Sequence, residues 1–183
     1  MSPGFGTSAR LRASLVVGMS LIAGIAATQA SASIVAPRSE CAGQANVHAP
    51  EHQQEKAMHC LINYARAHTG TGKLGSSHSL EQAAGQKSGD VMRCGFSHTA
   101  CGHAFEYRIN QAGYRWTRVG ENLGFGSGSL GRPYAIFSNW LRSPGHRANI
   151  LSPAFRDLGI AVRRGSFSGH SQAAVWVAEF GGH

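Results

Sequence analysis

Apolar residues recur three and four apart between Glu51 and His68, where Met58, Leu61, Ile62 and Ala65 form one stripe. That period predicts an amphipathic helix, and Gly70, Gly72 and Gly75 end it. A second stripe of Leu80, Ala83, Ala84, Lys87 and Val91 predicts another helix. Ser79 would open it, with Gln82 three residues on completing a capping box. Gly85 and Gly89 cost this helix about 1 kcal/mol each relative to alanine, which points to close packing against a neighbour. Residues 105–112 read as a third, short helix stopped by Gly113. Residues 119–125 read as extended, and Gly124, Gly126, Gly128 and Gly131 then read as a flexible loop. Pro133 opens a fourth helix carrying Ile136, Phe137, Trp140 and Leu141. Pro144 opens a fifth, with Ser143 as its cap.

The pattern then changes period. Leu158, Ile160 and Val162 alternate with Gly159, Ala161 and Arg163, and Val175 and Val177 alternate with Trp176 and Ala178. Two strands with a turn at 166–169 follow from this. Helices early and strands late define an α+β chain, with no internal repeat.

The first 32 residues do not fit this domain. Arg10 and Arg12 precede an uncharged apolar run at 15–27, and Ala30-Ser31-Ala32 has the A-x-A form of a cleavage site. Residues 1–32 therefore read as a signal peptide of the general secretory route, which makes the expected location extracellular. No transmembrane span is expected in the mature chain. Residues 33–50 lack periodicity and read as an N-terminal tail, pinned at Cys41, ahead of a domain over 51–183. At this length the domain can bury about two-thirds of its extended-chain surface.

Four cysteines in an exported chain read as two disulfides, with three pairings open. The short, glycine-flanked loop between Cys94 and Cys101 favours that pair, leaving Cys41 with Cys60. No C-x-x-C pair suggests a thiolate zinc site. Seventeen basic and nine acidic residues give a formal charge of +8. Without Arg10 and Arg12 the balance stays basic, which favours anionic neighbours such as a cell-surface polymer or lipid headgroups. The basic residues are scattered, with no aromatic-interleaved stripe, so no specific nucleic-acid recognition is expected.

Three residues carry the candidate chemistry: His98, Glu121 in Gly-Glu-Asn-Leu at 120–123, and His146 in Ser-Pro-Gly-His-Arg at 143–147. Two imidazoles and a carboxylate can hold a divalent metal or move protons. Glu121, in a strand otherwise without charge, needs a partner, and Arg115 or Arg118 could supply it. Asn122, Arg147 and Asn149 could fix backbone nearby.

Together with Trp140, the run at 143–151, Phe155, Gly159 and the run at 176–181, these residues resemble the CAP superfamily of cysteine-rich secretory, antigen 5 and pathogenesis-related proteins, in its bacterial secreted branch. The likeness covers roughly residues 57–181, with Asn63, Arg66, Leu74, Leu80 and Gly113-Tyr114 also in place. It implies an α-β-α sandwich with a central antiparallel sheet between helical layers. It also implies an open cavity that can bind Zn2+ or another divalent cation, with no organic cofactor. His98 and His146 match the cavity histidines and Glu121 the acid. Ser143 stands where many members carry a second acid, and Glu106 could replace that acid only if the third helix faced the cavity.

The resemblance implies a metal-, lipid- or ligand-binding module rather than an enzyme, and no residue is assigned as catalytic. The alternative is a metal-assisted, protease-like hydrolase drawing on His98, Glu121 and His146 as candidates. No G-x-S-x-G elbow or H-E-x-x-H helix supports it.

Overall fold

The computed structural model describes Met1 and residues 33–183. The signal peptide expected over 1–32 lies, Met1 apart, outside the described residues. Among the described residues four strands form one sheet: β1 (Gly75–Ser76), β2 (Arg118–Ser127), β3 (Asp157–Phe167) and β4 (His170–Gly182). Their spatial order is β1-β3-β4-β2. The three long strands pair antiparallel, but β1 pairs parallel to β3, so the sheet is mixed at one edge. Two residues, one of them a glycine, left no alternation from which to foresee β1. The hairpin from β3 to β4 turns on Ser168 and Gly169, both at positive φ, as a tight two-residue turn requires.

Helices cover both faces, which gives the α-β-α sandwich. On one face lie α1 (Glu51–His68), α4 (Pro133–Arg142) and α5 (Pro144–Leu151). Their Met58, Leu61, Ile136, Trp140 and Ile150 bury against Leu158, Ile160, Trp176 and Phe180 of the sheet. On the other face lie α2 (His78–Cys94) and α3 (Tyr107–Gln111). Here Ala84 and Val91 meet Leu123, Ala161, Val175 and Val177. Strand alternation sorts the residues: odd positions of β3 and β4 face α2, even positions face α1.

Several local expectations shift. The cap of α2 is Ser77, whose hydroxyl accepts from Leu80 N; Gln82 bonds His78 instead of the backbone. Ser143 does take the N-cap position of α5, but its side chain makes no capping bond. Gly124 and Gly126 belong to β2, not to a loop. A Cβ on Gly124 would press on Ile136 and Trp140, so this glycine lets α4 approach the strand. Both expected disulfides form, Cys41–Cys60 and Cys94–Cys101. Residues 33–50 are more than a tail, since Ala36, Cys41, Gln44 and Ala49 are buried.

Two polar devices fix the layers. Asp90 of α2 is buried and takes a two-pronged ion pair from Arg108 of α3, at 2.6 and 2.9 Å, with Arg93 adding a third contact. Arg66 of α1, fully buried, donates to the carbonyls of Gly72, Ile150 and Ser152, which anchors the end of α5. A third device lies at the sheet margin. Beyond its short pairing with β1, β3 has an open side, and there Glu55 accepts from Val162 N at 3.0 Å and Glu51 from Arg164 N at 3.2 Å.

Candidate functional site

Glu121 sits at an odd position of β2, on the α2 face between Val119 and Leu123. Its side chain is 1% exposed. A carboxyl so placed must find partners. Its partners are not Arg115 or Arg118. Oε1 lies 2.6 Å from Nδ1 of His98, and Oε2 lies 3.6 Å from Nζ of Lys87. His98 hangs from the loop between Cys94 and Cys101, and its own side chain is half exposed. An imidazole whose Nδ1 donates to a carboxylate presents Nε2 as an acceptor.

His146 approaches from the other layer. Asn122, on the opposite face of β2 from Glu121, donates to the His146 carbonyl at 3.1 Å. Asn149, one turn on in α5, donates to the Asn122 side chain and to the Glu121 carbonyl. Trp140 of α4 donates to the Leu123 carbonyl at 2.8 Å. These bonds clamp α4 and α5 against β2, so Asn122 and Asn149 do the backbone-fixing work anticipated for them. Burial pushes the His146 imidazole below its usual pKa, and the nearby charge of His98 adds to this. His146 lines a cavity of about 300 Å³ with Phe96, Leu123, Phe125, Trp140 and Ser143. Phe96 and Phe125 are partly exposed and pack edge-on, 5.3 Å between centroids.

The structure thus brings His98 and Glu121 into contact and sets His146 within reach of the field of His98. Among the described residues, no three His, Cys, Asp or Glu side chains are grouped to hold one ion. Glu121 stands behind His98 as its orienting carboxylate. Glu106 does not enter this site; it lines a separate cavity with Phe105, Trp116 and Arg118.

Two residues of the site escaped the sequence reading. Lys87 counted as part of an apolar stripe, yet it is 2% exposed and its ammonium donates to the His98 carbonyl. Glu179 of β4 pairs directly with Glu121 in the sheet register and is wholly buried, with no hydrogen-bond partner on either oxygen. Burial raises the Glu179 carboxyl well above the usual range, the adjacent Glu121 raises it further, and Lys87 opposes the rise. A carboxyl raised on folding costs stability as pH climbs from the ordinary glutamate range toward the folded pKa. Glu179→Gln should therefore melt higher than the parent, by a margin that widens from mildly acidic to mildly alkaline pH. Thermal denaturation across that range checks it; a constant or shrinking margin would count against a protonated Glu179.

A sandwich closed by two disulfides, with a histidine cleft at the margin of its sheet, defines a class of small domain. The family described as the cysteine-rich secretory protein family, CAP, matches residues 60–180, and the chain belongs to it. A Bacillus subtilis protein, the uncharacterized YkwD, is 28% identical over 129 residues, which is 69% of this chain and 46% of that one. The chain thus spans about half the length of the curated relative it matches. Among solved structures, an extracellular SCP-domain protein of Bacillus anthracis superposes with a TM-score of 0.61 at 21% identity, covering 73% of this chain and 41% of that one. An outer surface protein of Borrelia burgdorferi superposes with a TM-score of 0.59 at 19% identity, covering 72% of this chain and 93% of that one. These structural likenesses show the fold, and the domain is a CAP domain of bacterial type. No helix among the described residues is long and apolar enough to cross a membrane.

Proposed function

We propose that this protein is an extracellular binding module whose site is the cleft at His98 and His146, tuned by a divalent cation such as zinc. The contact between His98 Nδ1 and the buried Glu121 carries the reading. A carboxylate behind a histidine fixes its tautomer and raises its basicity as a ligand. His98 and His146 would give zinc two nitrogen ligands, one imidazole oriented through Nδ1 and the other favoured in its neutral form by burial, and two protein ligands make the expected binding weak. When bound, the cation would supply a Lewis-acidic point for a donor atom of the ligand. The exposed Phe96 and Phe125, backed by the buried Trp140 beside His146, would seat an apolar part, such as a lipid chain. The extracellular setting rests on two disulfides and on relatives described as extracellular or outer-surface proteins.

The hydrolase alternative asks Glu121 to act as a general base. A side chain 1% exposed, with Oε1 already engaged by His98, is poorly placed to meet a substrate water.

Calorimetric titration of zinc at neutral pH tests the binding reading. The parent domain should bind weakly, and the His98→Ala, His146→Ala double variant should lose that binding. Glu121→Gln should weaken it by roughly tenfold. Equal heats from parent and double variant would overturn the two-histidine site. Ester or peptide turnover that Glu121→Ala abolishes would favour the hydrolase.

A further inference from the structure

We infer that Lys87 is a positioning residue for His98, holding its imidazole in place from inside α2. The inference rests on the reading of His98 as a binding group. A lysine on the apolar face of a helix, beside Ala84 and Val91, costs desolvation that a methionine there would avoid. Packing alone does not call for the charge, and its contacts show what it meets. Nζ donates to the carbonyl of His98 and lies 3.6 Å from Oε2 of Glu121. Oε1 of the same carboxyl group meets the His98 ring. One ammonium therefore holds His98 twice, directly through its main chain and indirectly through the carboxylate that orients its ring.

The disulfide adds the third restraint. Cys94 ends α2, two turns beyond Lys87, and its bond to Cys101 closes the loop that carries His98. Lys87 is the interior tether of that loop and the disulfide its covalent closure. The competing account is that Lys87 only offsets two buried carboxyls, Glu121 and Glu179, which face each other across β2 and β4. The two accounts separate when the second acid is removed.

Three variants serve the test: Lys87→Met, Lys87→Arg, and Lys87→Met combined with Glu179→Gln, which relieves the excess of buried acid. The first readout is ring ¹⁵N NMR of His98 without metal, at a pH where the imidazoles are neutral. The second is zinc affinity by calorimetry. The parent should show a fixed Nδ1–H tautomer. In the folded combined variant, His98 should average between tautomers and zinc affinity should fall at least tenfold, a size typical of groups that orient metal ligands. Lys87→Arg should recover part of both. A combined variant that keeps the fixed tautomer and binds zinc within about twofold of the parent would overturn the inference. So would failure of every Lys87 variant to fold, because the lysine would then serve the core as a whole. If the parent binds no zinc, the binding reading fails, while the tautomer still decides the role of Lys87.

Discussion

Gly159→Ala should cost the domain about 4 kcal/mol or more, roughly 10 °C in Tm for a chain of this size. A Cβ at Gly159 would overlap the backbone of Leu80 and Glu81, where α2 rests on β3. No rotamer change relieves a clash with main chain, so the helix itself must lift. Lifting α2 would also move Lys87, Cys94 and the loop of His98, so zinc binding should fall with stability. Gly85→Ala is the matched control on the same helix. A Cβ there meets no atom within 4 Å, and alanine should gain up to about 1 kcal/mol from helix propensity. Thermal and urea denaturation of both variants measures this. Gly159→Ala melting within about 2 °C of the parent would mean that α2 sits more loosely on the sheet than its contacts require.

Asp90→Ala should cost about 3–5 kcal/mol, because it strips the acid from a largely sheltered guanidinium between α2 and α3. Burial alone would raise the Asp90 carboxyl, but hydrogen bonds and charge from Arg108, with smaller help from Arg93 and His103, outweigh it and hold the pKa low. The sign follows directly. A carboxyl lowered on folding contributes stability above its unfolded pKa, and that contribution is lost as pH falls through the folded value. The parent should therefore weaken in acid. Asp90→Asn, of similar shape but without charge, should be weaker at neutral pH and lose less on acidification. Urea midpoints near neutrality and in acid test it, and parallel acid profiles for parent and Asp90→Asn would remove Asp90 from the account.

The periodic helices α1 and α2, the proline-led α4 and α5, the β3–β4 hairpin and the Cys94–Cys101 disulfide were legible because each is written in local spacing, and Cys41–Cys60 followed as the remaining pair. Long-range register was not. Nothing in the order of residues says that Glu121 faces Glu179, or that Lys87 from α2 reaches both Glu121 and the His98 carbonyl. A lysine on an apolar stripe was the available signal, and its charge was the part of the pattern that did not fit. Glycine misled in a different way. Gly124 and Gly126 suggest a loop when judged by flexibility alone, yet they serve close approach within β2. The acid next to Glu121 is Glu179, its register partner on β4, and it is wholly buried.

The carboxylates of Glu51 and Glu55 on the open side of β3 bear on how copies of this protein behave toward one another. An unpaired strand is a template on which a neighbouring molecule can build. Here two of its outward amides are already occupied by side chains of the molecule's own helix. An incoming strand would have to displace both acids and bury their charge. This side of β3 is thus guarded against edge-to-edge pairing with the sheet of a neighbouring molecule.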